Sequence, residues 1–324
     1  MKAIQFAGPG GPEQIAEVDI PTPEPGAGQI AITVRYAGLN FAEVLARRGA
    51  PGYAPGWPYV PGMEVGGEVA ALGAGVAGFE VGDQVVAFTV GGGGLAETVV
   101  TEAGLAARVP DKLELERAVA VPLTWTTAVA LVQNTHITAA DRVLVTGATG
   151  GVGDALAAVL SLRAPRSLVG ATSPNSASVL ADGYRRAVRD AGFAAAAREA
   201  NDGELFDVVL ESIGGDVAAA SFGVLAPRGR FVSYGAAAGQ PDPAAPSFGD
   251  LRRNNWTTSG FSISNLARGD AGAAGELIAA VFALVEGGLT LPAPRVVGWD
   301  QAIEAHIAQA EGRSPGKTVV AVRG

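Results

Sequence analysis

The chain has 324 residues, too many for one ordinary core, and this length predicts two domains. Its 23 basic and 32 acidic residues give a formal charge of −9, and with only 17% charged residues and no long basic run it does not read as a nucleic acid binder. Cysteine is absent, which excludes disulfides, thiolate zinc sites and a cysteine nucleophile. The opening Met1-Lys2-Ala3-Ile4-Gln5-Phe6 runs straight into Gly and Pro turns without the apolar core of a signal peptide, and no stretch has 18 uninterrupted apolar residues. The expectation is a soluble, cytoplasmic protein with no membrane partner.

Up to about residue 110 the sequence predicts short strands separated by Gly and Pro turns: Lys2–Phe6, Ile30–Tyr36, Val65–Leu72, Gln84–Phe88 and Ala96–Val100. Such spacing is that of a small β barrel. From Val119 the texture changes to alternating strands and helices, with strands at Val143–Thr146, Ser167–Ala171, Phe206–Glu211, Gly229–Tyr234 and Trp256–Phe261. Alternation of this kind implies right-handed crossovers and a parallel sheet. Helices are predicted over Asp154–Leu162, Ala177–Ala191, Asp216–Leu225 and Ala271–Glu286, the last stopped by Gly287-Gly288. Gly235–Gly249, rich in Ala, Pro and Gly, reads as a loop after a sheet strand. A polar helix from Asp300 and a strand Thr318–Val322 close the chain.

The most informative segment is Gly147-Ala148-Thr149-Gly150-Gly151-Val152-Gly153, between an apolar strand and a helix. A strand that feeds a glycine turn and then a helix aims several backbone N–H groups, and the positive end of the helix dipole, at one spot where a pyrophosphate sits. Its best register against the dinucleotide fingerprint is Ala148-x-Gly150-x-x-Gly153, with alanine in place of the first glycine.

Several stretches together resemble the medium-chain dehydrogenase/reductase superfamily, and within it the zinc-free quinone oxidoreductase branch that includes ζ-crystallin. They are Ala37-Gly38-Leu39-Asn40-Phe41-Ala42-Glu43, Val60-Pro61-Gly62-Met63-Glu64-Val65-Gly66-Gly67-Glu68-Val69, Val81-Gly82-Asp83-Gln84-Val85, Gly147–Gly153 and Gly316-Lys317. The resemblance implies an α/β protein: a GroES-like β-barrel catalytic domain over residues 1–119 and 263–324, and a Rossmann doubly wound parallel-sheet domain over 120–262. It also implies a homodimer through a sheet edge of the nucleotide domain, the Phe231 or Trp256 strand. In zinc alcohol dehydrogenases a cysteine and a histidine stand at the places of Asn40 and Met63, and neither residue present here is a normal zinc ligand.

For the cofactor, an NAD site wants an acid at the end of the second strand. That strand ends Gly170-Ala171-Thr172-Ser173-Pro174-Asn175-Ser176, with no carboxylate, and Thr172, Ser173 and Ser176 offer hydroxyls to a 2′-phosphate; the expected cofactor is NADPH. Many family members place a lysine a few residues on, where this chain has Ala177. Arg185 and Arg186, in the predicted helix, and Arg313, which matches a C-terminal family arginine, are the candidate cations, each with the alternative of a solvated surface residue. The resemblance places Thr127 beside the nicotinamide carboxamide, the turn from Ala148 through Thr149, Gly150, Gly151 and Val152 to Gly153 at the pyrophosphate, and Ser212, Gly235 and Phe261 along the rest of the cofactor.

At the reacting end the resemblance turns Asn40 toward the nicotinamide, to bind the substrate oxygen or the cofactor ribose; Asn is equally a good helix N-cap. Tyr53 and Tyr59 lie in the Pro- and Gly-rich loop Gly49–Pro61, where a tyrosine stacks on a flat ring, donates a proton or merely pins the loop. His306 reads as structural. With no Lewis acid, a conjugated acceptor is the natural substrate, so the expected enzyme is a zinc-independent, NADPH-dependent reductase of a small-molecule quinone or activated C=C. The alternatives are an enoyl-thioester reductase of a polyketide or other secondary-metabolite pathway, with Arg47-Arg48 or Arg252-Arg253 lining a basic entrance, and a non-catalytic NADPH-binding protein.

Overall fold

A computed structural model describes residues 1–174, 179–241, 244–314 and 316–322. The chain divides into two compact units, residues 1–126 with 263–324, and residues 127–262.

The first unit opens with an antiparallel pair, β1 (Lys2–Phe6) and β2 (Ile15–Asp19). Then come β3 (Gln29–Gly38), α1 (Phe41–Arg47), β4 (Glu64–Leu72), β5 (Gln84–Phe88), β6 (Thr98–Glu102), β7 (Ala106–Arg108) and the short α2 (Leu115–Ala118). Strand β3 is the hub: it pairs antiparallel with β4 on one side and with β6 as well, and β4 carries β5 and then β7. Its Ile30, Ile32 and Val34 are fully buried and join Val65, Val69, Val85 and Leu95 in one core, so the period-2 pattern of this strand has an inward face to fill.

The second unit holds α3 (Thr126–Thr135, from its second residue), β8 (Arg142–Thr146), α4 (Gly151–Ser161), β9 (Ser167–Thr172), β10 (Arg185–Val188), α5 (Phe193–Ala200), β11 (Phe206–Glu211), α6 (Gly215–Phe222), β12 (Leu225–Ser233), α7 (Phe248–Asn254) and β13 (Thr257–Gly260). The strands form one parallel sheet in the order β10-β9-β8-β11-β12-β13, that of a doubly wound nucleotide-binding domain. Val143, Leu144 and Val145 are all fully buried, as expected of a central strand covered on both faces. At one edge every residue of β13 is exposed.

The chain then returns to the first unit through α8 (Ile263–Gly269), α9 (Ala271–Glu286, capped by the Asp270 carboxylate, which accepts from Ala273 N), β14 (Arg295–Gly298), α10 (Ala302–Ala310) and β15 (Thr318–Ala321). Strand β15 joins β3 antiparallel and carries β14 parallel on its other side, so the sheet of the first unit is completed by residues far along the chain. A helical stretch from Leu115 to Thr135 has the length and composition of a membrane span, but it is 83% buried inside the fold.

The sequence reading needs correction between β9 and α5. The helix expected over Ala177–Ala191 is replaced by strand β10, in parallel register with β9 from Arg185 opposite Val169 to Val188 opposite Thr172. Ala177 itself lies outside the described residues. None of the described residues linking the two strands is helical, and Tyr184 fills the space, its ring against Gly170 and its hydroxyl donating to Gly153 O at 2.8 Å. Helix α4 begins earlier than expected, inside the glycine turn, and the described residues between Gly235 and Ser247 form no helix or strand before α7 starts at Phe248.

His306 of α10 is 2% exposed, beside Phe6 with ring centroids 5.2 Å apart, and its Nε2 accepts from Arg47 Nε at 3.1 Å. Burial, helped by the charges of Arg47 and Arg48, pushes its pKa down to about 4, below the 6.5 of an unfolded chain. The unfolded state therefore binds the proton more readily, and the stability of this site, fully present above pH 6.5, is lost as pH falls through about 4. Melting curves from pH 7 to pH 4 should show a loss of up to about 3 kcal/mol that His306→Gln removes.

Candidate functional site

In the first unit, α1 is entered by Leu39-Asn40, immediately after β3. Asn40 occupies the N-cap position, where its backbone carbonyl accepts from Glu43 N at 3.0 Å and its N–H donates to the Glu43 carboxylate at 3.3 Å. Its side chain is engaged elsewhere: Oδ1 accepts from Lys317 Nζ at 2.8 Å and Nδ2 donates to Gly38 O at 3.2 Å. Lys317, just before β15, also donates to Leu39 O at 3.0 Å and forms an ion pair with Glu64, the first residue of β4. The Glu64 side chain is 0% and that of Lys317 11% exposed. The second Glu64 oxygen accepts from Leu123 N at 2.9 Å. Gly38 makes this arrangement possible, since a Cβ there would meet Glu64 Oε1 at 2.5 Å.

A second carboxylate lies in the same cluster. Glu43 is fully buried and accepts from Met63 N at 3.1 Å as well as from Asn40 N. Burial pushes its pKa up to about 7, against the pull of the Lys317 charge and of the two N–H donors. The sequence reading named Asn40 and missed Lys317, Glu64 and Glu43 as its partners, although all three stand inside the motifs that carried the family resemblance.

The tyrosines of the Gly49–Pro61 loop separate. Tyr59 is 3% exposed, hydrogen-bonded through its backbone to Phe6 on both sides and ring to ring with it at 5.9 Å, so it packs the loop onto β1. Tyr53 is half-buried against the same cluster. The proposed basic entrance is also altered: Arg47 is 3% exposed, donating to Gly10 O at 2.7 Å, and Arg253 pairs with Asp250 at 2.9 Å.

In the second unit, residues at the C-terminal ends of β8, β9, β11 and β12 gather along one edge of the sheet, where a dinucleotide lies in an open α/β fold. Gly147 has φ +67°, and a Cβ on it would meet Ser212 Oγ at 2.7 Å. A Cβ on Gly153 would lie 2.5 Å from the carbonyl of Ala148, so only glycine lets α4 come this close to the strand end. The backbone N–H groups of Gly151, Val152 and Gly153, with Thr149 and Gly150 just before them, are those of a first helical turn, which has no partners of its own within the helix. Ser212 is tied to β8 through Thr146, and Gly235 is pressed against Ser212, whose carbonyl lies 2.8 Å from where a Cβ would be. Phe261 continues β13, its N–H donating to Ser233 O at 2.9 Å. Thr127 is buried in the first turn of α3.

The 2′-phosphate candidates fare unevenly. Thr172 is 0% exposed and its hydroxyl donates to Ala187 O at 3.4 Å, toward β10, so it serves the strand pair. Ser173 is half-buried at the strand end, and Ser176 lies outside the described residues. Arg185 pairs with Asp202 at 2.7 Å, and Arg313, in the first unit, pairs with Glu304 and Glu311. Arg189, not considered in the sequence reading, follows β10; its N–H donates to Thr172 O at 2.8 Å and, among the described residues, its buried Nε has no hydrogen-bond partner.

Removing Lys317 strands a buried carboxylate. Lys317→Met should cost about 3–5 kcal/mol in urea unfolding, and adding Glu64→Gln should recover part of it.

Comparison with known proteins places this architecture. Residues 26–111 match the alcohol dehydrogenase GroES-like domain, and residues 183–320 match the zinc-binding dehydrogenase family. The chain is 34% identical over 244 residues to a quinone oxidoreductase of Pseudomonas aeruginosa, covering 74% of each. It is 33% identical to the human synaptic vesicle membrane protein VAT-1 homolog-like over 72% of this chain, and 31% identical to the reducing polyketide synthase PKS1 of Cochliobolus heterostrophus over 81%. The chain spans 56% of the first of these two relatives and 10% of the second. A mycobacterial protein solved in complex with NADPH superimposes with a TM-score of 0.86 at 28% identity, covering 99% of this chain and all of that one. The chain is therefore a member of the medium-chain dehydrogenase/reductase superfamily, in its quinone oxidoreductase-like branch.

Proposed function

We propose that this protein is a zinc-independent, NADPH-dependent reductase that reduces a quinone or an activated C=C of a small molecule. The observation that carries this is the Lys317 ammonium, 2.8 Å from Asn40 Oδ1 and ion-paired to Glu64. Asn40 and Met63 stand where zinc alcohol dehydrogenases carry ligands, and a fixed cation beside a neutral amide and a thioether is a poor donor set for a second, divalent cation. The residues present do not fit zinc. A conjugated acceptor needs less polarisation than an alcohol, because charge from hydride addition spreads to the distant oxygen.

The glycine cradle fits a nicotinamide dinucleotide, with the first turn of α4 holding the pyrophosphate and the Ser212 and Gly235 turns lining the sheet edge. When bound, the cofactor supplies the hydride. The carboxamide of Asn40, steadied by Lys317, holds the oxygen of the acceptor, and the matching proton comes from water or Tyr53; Tyr59, packed on Phe6, is released from that role. An enoyl thioester remains a second substrate class because of the likeness to a reducing polyketide synthase. The pairing of Arg47 and Arg253 favours the small acceptors first. The exposed edge strand β13 is the pairing surface of a homodimer.

The purified protein with NADPH and a panel of quinones and enones should consume reduced nicotinamide at a rate unchanged by a zinc chelator; activity that requires added zinc would overturn the proposal. Asn40→Ala should lower kcat by about tenfold or more while leaving dinucleotide affinity in place. Sedimentation should give twice the 32.5 kDa chain mass; a monomer at every concentration removes the dimer.

A further inference from the structure

Arg189 is the arginine at this sheet edge whose buried Nε has no hydrogen-bond partner among the described residues. It stands beside the last residue of β9, held by the bond from its N–H to Thr172 O at 2.8 Å. In a parallel sheet of this order the adenosine ribose lies at the end of that second strand. Its side chain is largely desolvated, and Nε is buried with no hydrogen-bond partner among the described residues. A buried guanidinium N–H without an acceptor is costly, so the site has room for an acceptor that the protein does not supply.

The surrounding acids do not fill that need. Glu211 attracts the guanidinium, but its oxygens already accept from the Thr146 hydroxyl at 3.2 Å, Ile213 N at 2.7 Å and Gly214 N at 3.0 Å. Asp190, the next residue, accepts from Gly192 N at 2.8 Å. Arg185 and Arg313 have carboxylate partners elsewhere.

We infer that Arg189 is the cation that receives the 2′-phosphate of NADPH in this chain, delivered from the edge strand β10 and not from the loop after β9, where the family usually carries a lysine. The inference rests on the nicotinamide-cofactor reading of the glycine cradle. A guanidinium presents a planar fork of donors to phosphate oxygens, and the half-buried Ser173 follows Thr172, the residue whose carbonyl Arg189 N binds. The parallel register of β10 with β9, continued by the bond from Arg189 N to Thr172 O, brings this residue to the strand end.

Calorimetric titrations with 2′,5′-ADP, 5′-AMP, NADPH, NADH and inorganic phosphate test it without reference to turnover. The wild-type protein should bind 2′,5′-ADP well above 5′-AMP, and Arg189→Gln should weaken 2′,5′-ADP and NADPH about ten- to hundredfold while leaving 5′-AMP and NADH within about twofold. Arg189→Lys, which keeps the charge, should recover much of the loss, and a melting curve checks that each variant is folded. Unchanged 2′,5′-ADP affinity in a folded Arg189→Gln protein overturns the inference. So does wild-type binding of inorganic phosphate as tight as that of 2′,5′-ADP, the mark of a free-phosphate site. Either result leaves the reductase proposal standing, whereas a wild-type protein that binds neither NADPH nor NADH removes that proposal itself.

Discussion

The first unit is organised around one buried ion pair. Glu64 begins β4 and Lys317 precedes β15, and their pairing joins parts of the chain 253 residues apart. A carboxylate with no exposure cannot stay ionised alone at acceptable cost, so the approach of Lys317 is a condition for β4 to be where it is. The same ammonium fixes the Asn40 carboxamide and the Leu39 carbonyl, and thereby the entry of α1. The constraint passes from charge to backbone to the residue at the centre of the proposed chemistry. Gly38 belongs to it too, because any side chain there would push the Glu64 carboxylate away.

The second unit depends on close approach of backbone to backbone. Gly153 lets α4 sit against Ala148, and Gly170 leaves room on β9 for Ala148 and the ring of Tyr184. Tyr184 covers Gly170 and bonds Gly153, which ties the entry of β10 to the start of α4. The outcome is a six-stranded parallel sheet with β10 on the edge beside β9.

Much of the fold was legible in the sequence for plain physical reasons. Lys2–Phe6, Gln84–Phe88 and Phe206–Glu211 were readable because apolar runs between turn residues leave little choice, and Ala271–Glu286 because Gly287-Gly288 ends its periodic pattern. Arg185–Val188 was not readable as a strand: alanine-rich flanks mimic a helix, while only pairing with β9 makes these residues extended. The candidate site was legible where backbone geometry dictates residue type, as at Gly153, and where a residue suits a helix start, as Asn40 does at the N-cap position of α1. It was hidden where the partner comes from far along the chain. Nothing local in Gly316-Lys317 says that its ammonium meets Glu64, and nothing local in Val188-Arg189 says that a guanidinium is left without a partner.

The discontinuity of the first unit has a consequence for synthesis. Residues 127–262 form a contiguous body, so they can close their sheet while later residues are still being made. The barrel cannot, because β15 and Lys317 come after everything else in it. Until they emerge from the ribosome Glu64 lacks the Lys317 ammonium, and the end of β3, Tyr36–Gly38, lacks the strand that β15 will supply. A nascent chain that has not yet reached Gly316-Lys317 has a second unit able to close its sheet and a first unit still short of a strand, and chaperone protection matters most over that interval.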